Sequence, residues 1–257
     1  MVTTPTTMAL LFAVLLTVSS TRPQVGAAQG LVLELDHAYI VVPPGAAAAV
    51  QALQRVGIVI DTEAVRHEGE GTTSLAAFFE NAYLELMWVD SSVMVDSAHQ
   101  LDVVDFRRAA AWRQTGASPF GIGLHFLSGG PSDLRVPFRL DAVPDTRPVS
   151  YYVLLRQPEE SLATDVFIMP PDRAVTSWLG HYRRRQPARF AHPAGVRRIT
   201  RVLVRGPQAQ PSPFAPLDVR LVHFEEVKGP LLEVEFDGGT RSQTWDLRPA
   251  LPLILSR

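Results

Sequence analysis

The sequence predicts an α+β domain whose elements begin in the order strand, helix, strand, strand, strand. Alternating residues predict the first strand over residues 31–42, and Pro43-Pro44-Gly45 ends it because proline cannot donate to a sheet ladder. Alanine, leucine and glutamine favour a helix over residues 46–56, and Gly57 suits the position just after its C-terminus. Together with the three strands described next, these elements form one βαβββ unit over about residues 31–90.

Three short segments complete this unit, at residues 58–61, 73–79 and 83–89. The last of them alternates, which places Tyr83, Glu85 and Met87 on one face and the residues between them on the other. The same reasoning applied to the first strand places one set of side chains together, namely Leu33, Leu35, His37, Tyr39 and Val41.

The rest of the chain repeats these element types. A helix is expected over residues 93–114 and another over 174–182. Strands are expected at 120–127, 149–156, 165–169, 197–205, 217–224 and 231–236. No low-complexity linker separates these elements, so one domain with internal repetition is predicted over residues 29–257. Its parts are a first module at about 31–90, a middle segment at about 91–190 and a last module at about 191–257.

Composition excludes several classes of function. The chain has 257 residues, a formal net charge of -2 and no cysteine. Disulfides, zinc–thiolate sites and cysteine nucleophiles are therefore excluded, and the charge argues against nucleic acid as a partner. There is no Gly-X-Ser-X-Gly motif of the serine hydrolases, and no glycine pattern of a dinucleotide site follows a predicted strand.

The N-terminus reads as a signal peptide over residues 1–28. An apolar run over residues 8–18 is too short to span a bilayer, which takes roughly 20 apolar residues. Gly26-Ala27-Ala28 suits cleavage after Ala28, although no Lys or Arg precedes the apolar run. A secreted or periplasmic protein without stable membrane insertion after cleavage is therefore expected. An uncleaved anchor and a wrongly assigned start are the alternatives.

Several segments resemble the glyoxalase-like branch of the vicinal-oxygen-chelate superfamily. Residues 35–42, Leu-Asp-His-Ala-Tyr-Ile-Val-Val, resemble the opening strand of these domains. Residues 66–72, Arg-His-Glu-Gly-Glu-Gly-Thr, resemble an Arg-His…Gly-Thr signature, and residues 83–86 are similar to the fourth strand. His192-Pro193-Ala194-Gly195 resembles a His-Pro-X-Gly element of the same group. The first module matches over about 60 residues and the middle of the chain matches loosely.

The resemblance implies repeated βαβββ modules that form a cup-shaped mixed sheet with a ligand on its concave side. In metal-dependent members, a His from the first strand and a Glu from the fourth bind a divalent ion, and a second module supplies an equivalent pair. His37 and Glu85 hold the first two positions here. Without cysteine, the ion would be of the Zn, Mn, Fe or Ni kind. Because members pair modules within one chain or between two, the resemblance leaves a homodimer open.

The second pair of ligands has two candidate registers. In one, Arg201 stands where the histidine is expected and Glu233 stands opposite Glu85; arginine is not a metal ligand, so it would pair with Glu233 or bind an anionic substrate. In the other, His125 is the histidine and shares a face with small glycines, but the matching strand at 165–169 offers Asp165 or Met169 and no Glu. The composite metal site predicted from both registers is His37, Glu85, His125 and Glu233.

Other residues are candidates for binding and proton transfer. His67 precedes Gly69 and Gly71 and is the candidate catalytic acid or base, because its pKa lies near neutrality. Arg201, Tyr39 and Tyr83 are the candidate substrate-binding residues.

Three functions fit these expectations. The first is a metal-dependent lyase, isomerase or dioxygenase acting on a small oxygenated molecule. The second is a metal-free protein that binds or sequesters a small molecule in the same cup. The third is an interaction module whose cup is filled by its own aromatic and methionine side chains.

Overall fold

The chain forms an α+β structure with two mixed β-sheets. The computed structural model describes residues 30–94, 105–143, 149–154, 162–207, 209, 211 and 214–257. The predicted signal peptide at residues 1–28 lies outside this part of the chain. Among the described residues, no helix combines the length and the apolar character needed to cross a membrane.

The larger sheet has nine strands and is strongly curled into a half-barrel. Its strands in chain order are β1 Val32–Val41, β2 Val65–His67, β3 Thr72–Phe78, β4 Tyr83–Val89, β5 Phe120–Ser128, β6 Phe138–Val143, β7 Val149–Leu154, β8 Asp165–Ile168 and β10 Val219–Arg220. The strand order across the sheet is β2-β3-β4-β1-β5-β8-β7-β6, and β10 pairs with the start of β1.

The two halves of this sheet have the same pattern of strand pairing. In the first half β4 runs parallel to β1, and β3 and β2 follow antiparallel. In the second half β8 runs parallel to β5, and β7 and β6 follow antiparallel. The halves meet where β1 and β5 pair antiparallel at the centre of the sheet.

The first half contains the predicted order of strand, helix, strand, strand, strand. Its helix, α1, spans Ala47–Arg55 and buries Ala49, Ala52 and Leu53. The strand expected at residues 58–61 is absent. In its place, the backbone N–H groups of Ile58, Val59 and Asp61 donate to three different elements, so no ladder forms there. The first strand after α1 is instead β2, which begins a few residues later at Val65.

The second sheet packs against the face of the larger sheet that also carries α1. Its strands are β9 Ile199–Gly206, β11 Val222–Glu226, β12 Leu231–Phe236, β13 Thr244–Asp246 and β14 Leu253–Ser256, in the order β11-β9-β12-β14-β13. One continuous apolar core joins the two sheets and α1. It includes Leu33, Leu35, Ile40, Leu53, Leu84, Ile122, Val202, Val204, Leu232 and Val234.

The strand expected over residues 217–224 is divided between the two sheets. β10 pairs with β1 in the larger sheet, whereas β11 pairs with β9 in the second. Leu221, between them, has a positive φ of 70°, which breaks the extended backbone. This short crossover connects the two sheets.

Three further helices follow in the chain, of which α2 and α4 contact the larger sheet. The helix expected over residues 93–114 appears in the described part as two short pieces, α2 Phe106–Ala110 and α3 Trp112–Thr115, separated at Ala111. Asp105 caps α2 by accepting from the backbone N–H of Arg108. The fourth helix, α4 Val175–Arg185, matches the prediction at 174–182 and extends one turn beyond it.

A hydrogen bond across the sheet shows which face is concave. The Tyr151 hydroxyl on β7 donates to the Glu70 carboxylate in the turn after β2, at 3.1 Å. These elements are separated by five strands in the sheet order. Adjacent strands lie about 4.8 Å apart, so in a flat sheet the two would be roughly 25–30 Å apart. The sheet therefore curls toward the face on which these two side chains meet, and this face is called the concave face below.

Candidate functional site

A β-bulge at Asp36 decides which residues of β1 reach the concave face. Leu35 pairs with Leu124 and His37 pairs with Gly123, so Asp36 is one extra residue on β1. The side-chain alternation therefore shifts by one position. Leu33 and Leu35 belong to the core between the sheets, whereas Tyr39 and Val41 belong to the cluster on the concave face.

The prediction that Leu33 and Leu35 share a face with His37 was therefore wrong. The prediction for β4 is confirmed, because Leu84, Leu86 and Trp88 lie in the core and Met87 lies in the concave-face cluster. Residues paired laterally in neighbouring strands share a face. The pairing of His37 with Tyr83 and of Tyr39 with Glu85 therefore brings these four side chains to the concave face.

Two glycines on β5 make room for the rings from β1. A β-carbon on Gly123 would lie 2.5 Å from Cε1 of His37, and one on Gly121 would overlap the ring of Tyr39. Both rings therefore lie across the backbone of β5. In the register that makes β5 the opening strand of a second module, this is the region where the partner histidine was expected.

His37 is oriented from three sides. Its Nδ1 contacts Asp36 Oδ1 at 2.8 Å, its ring stacks on Tyr83 with centroids 4.4 Å apart, and Phe167 contacts it edge-on. The Asp36 carboxylate accepts the Nδ1–H of the ring in this arrangement. The Nε2 atom of His37 has no hydrogen-bond partner among the described residues.

A second histidine is held by a hydrogen-bonded chain on the concave face. His67 Nε2 lies 3.0 Å from Ser74 Oγ, and that hydroxyl donates to Glu85 Oε1 at 2.5 Å. His67 Nε2 is also 3.6 Å from Glu85 Oε1. The side chain of His67 is 24% exposed and that of Glu85 is 9% exposed, so the histidine is the accessible end of this chain.

This contact shifts the pKa of both partners. Burial raises the pKa of Glu85, but the charge and polar contact of His67, the charge of His37 and the Ser74 hydrogen bond outweigh it and lower that pKa to about 2. Burial lowers the pKa of His67, but contact with Glu85 and the charges of Glu85 and Glu70 raise it overall. The contact therefore favours the imidazolium form of His67 and the carboxylate form of Glu85.

Two tyrosine–carboxylate pairs lie on the same face. Tyr39 donates to Asp165 Oδ2 at 3.0 Å, in addition to the pair formed by Tyr151 and Glu70. Burial raises the pKa of Glu70, while the charge of His67 and the Tyr151 hydrogen bond lower it less strongly. Burial and the charges of Glu85 and Asp36 raise the pKa of Tyr83 well above its ordinary value, so this hydroxyl stays protonated at neutral pH.

Helices border the concave face at two places. Phe106 and Ala109 of α2 pack on Tyr39, Val41 and Met87. At the other place, the backbone N–H of Val175, the first residue of α4, donates to Asp36 Oδ2 at 2.6 Å. The ring centroids of Trp178, on α4, and Tyr83 are 5.9 Å apart. Asp36 therefore connects His37 to the N-terminus of α4.

His125 lies on the concave face of a central strand, beside Asp36. It is 1% exposed, which excludes the alternative of a surface histidine on an edge strand. Its Nε2 lies 3.7 Å from Glu34 Oε2 and its Nδ1 lies 3.8 Å from Asp36 Oδ2. Both distances exceed a hydrogen bond, and neither ring nitrogen has a hydrogen-bond partner in the described part of the chain.

Glu233 and Arg201 lie elsewhere. Both are on the second sheet, where alternate residues of β12, Leu232 and Val234, face the core, so Glu233 faces away from it. Glu233 forms its ion pair with Arg205, at 2.6 Å, and not with Arg201. Arg201 is exposed and pairs in register with Glu235. The core between the sheets separates these residues from His37.

The predicted four-ligand metal site does not assemble within the described residues. His37 and Glu85 share the concave face, His125 contacts Glu34 and Asp36, and Glu233 is on the other sheet. Across the described ranges, no group of three or more His, Asp or Glu side chains is placed to hold a metal ion. Within the described ranges, the residues therefore do not fit the metal that the resemblance implies.

His192 has a structural role. Its Nδ1 accepts from the backbone N–H of Val59 at 3.0 Å, and its Nε2 lies 2.9 Å from the carbonyl oxygen of Phe78. It thus joins the segment after α1 to the end of β3. Burial lowers its pKa.

Sequence reasoning missed several residues of the site. Asp36, Ser74, Glu70 and Tyr151 were not singled out, although each contacts a predicted residue or closes the cup. Ser74 could have been found, since alternation along β3 places it on one face with every second residue. The role of Asp36 depends on the β-bulge, and no glycine or other turn-forming residue beside Asp36 predicts that bulge from the sequence.

Comparison with known proteins assigns no family. No family model and no curated protein matches the chain. Among solved structures, the crystal structure of a hypothetical protein from Staphylococcus aureus is similar, with 11% identity and a TM-score of 0.47 over 87% of this chain and 97% of that chain. A likeness at this level establishes neither a shared fold nor a shared function.

Proposed function

We propose that this chain is a glyoxalase-like protein of the vicinal-oxygen-chelate type that binds a small oxygenated molecule on the concave face without a metal ion. The observation that carries the proposal is a set of polar atoms on that face: His37 Nε2, His67 Nδ1 and the Tyr83 hydroxyl. None of them has a hydrogen-bond partner among the described residues. Convergent polar groups among aromatic side chains are typical of small-molecule sites.

The arrangement of strands supports the repeated-module part of this proposal. The first half of the larger sheet has the order βαβββ, and the second half repeats its pattern of parallel and antiparallel pairing. The second half differs in having a 3₁₀ turn at Pro131–Asp133 where the first has α1. Two modules meeting at β1 and β5 would form the cup.

The free polar atoms match a ligand with both hydroxyl and carbonyl oxygens. A protonated His67 Nδ1 and the Tyr83 hydroxyl can each donate to an oxygen atom, whereas an unprotonated His37 Nε2 can accept from a hydroxyl. His67 is also the residue placed to move a proton, because Glu85 fixes its ring and its Nδ1 is free of partners.

One observation favours the metal-dependent alternative. A carboxylate on one ring nitrogen and a bare second nitrogen, as in the Asp36–His37 pair, is the arrangement common to metal-bound histidines. Against it stands Glu85, whose carboxylate is engaged by Ser74 and His67. No third ligand is placed beside these two in the described part of the chain.

The test is calorimetric titration of the chelator-treated full chain with catechol and with lactate, two probes with adjacent oxygens. Binding is expected without added metal. Tyr83→Phe and His67→Gln should each weaken it about tenfold or more, because a hydrogen bond to a charged or buried group is worth roughly 1–3 kcal/mol. Arg201→Ala, on the second sheet, is the matched control and should bind as the wild type does.

Two results would contradict the proposal. If neither probe binds with or without metal, the concave face is not a site for small oxygenated molecules. If binding requires added Zn, Mn, Fe or Ni and disappears in both His37→Ala and Glu85→Ala, the metal-dependent alternative is correct. Export and homodimer formation stay predictions from the sequence.

A further inference from the structure

His125 is buried in a way that fold stability does not explain. It sits in a central strand at 1% exposure, and both ring nitrogens lack hydrogen-bond partners in the described part of the chain. A buried polar group without a partner destabilises a fold, and such groups are rare in native proteins. A leucine at this position would avoid that cost.

Each ring nitrogen of His125 faces a different carboxylate. Glu34 is its direct cross-strand neighbour on β1, and the bulge turns Asp36 to the same side. Nε2 is 3.7 Å from Glu34, whose side chain is 27% exposed, and Nδ1 is 3.8 Å from Asp36, which is almost fully buried. A neutral imidazole has one N–H and can serve one of these acids, whereas a doubly protonated ring serves both.

Asp36 transmits this contact to His37. One of its oxygens contacts His37 Nδ1, and the other accepts from the N–H of Val175. A carboxylate at this depth needs nearby positive charge or donors to remain an anion. Beside these two donors, His125 places its Nδ1 atom 3.8 Å from Asp36 Oδ2.

We propose that His125 is a positioning residue that acts through Asp36: with a proton on each ring nitrogen, it keeps Asp36 an anion, and Asp36 then holds the proton of His37 on Nδ1. The bare Nε2 of His37 is thereby presented to the concave face. The proposal rests on the proposed function only in that His37 contacts the ligand. The contacts among His125, Asp36 and His37 are those of the protein without a ligand.

The test is long-range ¹H–¹⁵N correlation of the histidine rings in the chelator-treated full chain near neutral pH. In the wild type, both nitrogens of His125 should resonate as protonated, and His37 should show a single tautomer with its proton on Nδ1. In His125→Leu, His37 should become a mixture of tautomers, while His223→Leu, an exposed histidine on β11, should leave it unchanged.

The melting temperature distinguishes a charged ring from a neutral, unsatisfied one. His125→Leu should melt below the wild type, because it leaves the buried Asp36 carboxylate without the protonated ring that faces it, whereas loss of a neutral ring without partners would raise the melting temperature. Should that variant fail to fold, His125→Gln and the wild-type spectrum still decide the question. A neutral His125 in the wild type, or an unchanged His37 in a folded His125 variant, would overturn the proposal. Failure of the ligand titrations would leave these spectra unaffected, so the two proposals fail separately.

Discussion

The ring of Tyr39 lies across Gly121 and occupies the space that a side chain at residue 121 would need. From there its hydroxyl reaches Asp165, on the strand beyond β5. The side chain from β1 thus crosses β5, where Gly121 leaves space for it, and contacts β8 on the far side.

Gly121→Ala should therefore displace Tyr39 and break its hydrogen bond to Asp165. Overpacking of this kind costs about 1–3 kcal/mol, and we expect that loss in the free energy of unfolding measured with urea. Gly130→Ala is the control, since a β-carbon there meets nothing within 4 Å, and it should change stability by less than about 0.5 kcal/mol. Equal effects of the two substitutions would contradict this account of Gly121.

Glu85 should make the fold sensitive to acid. Its pKa is lowered in the folded chain to about 2, so its contribution is present above its ordinary pKa of 4.5 and is lost as the pH falls toward 2. The shift corresponds to a contribution on the order of 3 kcal/mol. Urea unfolding at a series of pH values should show this loss in the wild type and a smaller one in Glu85→Gln. Glu68→Gln, at a nearby exposed carboxylate, should keep the wild-type pH dependence.

His67 should titrate above the ordinary histidine pKa of 6.5, because contact with Glu85 and the charges of Glu85 and Glu70 together outweigh its burial. Its contribution to stability is present below pH 6.5 and is lost as the pH rises through the raised pKa. An NMR titration of the ring should show the raised midpoint, and Glu85→Gln should lower it. A midpoint that stays the same in Glu85→Gln would show that Glu85 is not the cause.

His192→Leu should destabilise the fold by about 1–3 kcal/mol, because it leaves the N–H of Val59 and the carbonyl of Phe78 without their partner. Burial lowers the pKa of His192, so the wild type should also lose stability as the pH falls below 6.5, and this variant should lose less. Thermal unfolding of both across this pH range is the measurement. His223→Leu, at an exposed histidine, should behave like the wild type.

The alternation of apolar and polar residues within single segments was enough to predict most strands near the site. The apolar alternation of β4 placed Glu85 on the face opposite Leu84 and Leu86, as the structure confirms. The alternation of β5 placed Gly121 and Gly123 on one face with His125, as the pairing with β1 shows, although the rings of Tyr39 and His37 fill the space beside these glycines. In both cases the information lies within one strand, where the side-chain period of two applies without interruption.

Relationships between distant segments could not be predicted in this way. Glu233 alternates as Glu85 does, yet its strand belongs to a second sheet, and nothing in its own residues specifies that partner. The strands β13 and β14 were missed, and so was β6. The contact between Tyr151 and Glu70 depends on how far nine strands curl, a property of the assembled sheet.

The extra residue at Asp36 also restricts how β1 can evolve. Before it, odd-numbered positions supply the core, as at Leu33 and Leu35; after it, even-numbered positions do, as at Ala38 and Ile40. Deleting Asp36 would restore an unbroken zigzag that keeps Leu33 and Leu35 in the apolar interior, but it would also remove the carboxylate that contacts His37. A strand with uninterrupted alternation cannot place two consecutive side chains on one face, so only a strand of this length can keep a carboxylate directly beside the ring of His37 while both of its ends supply the core.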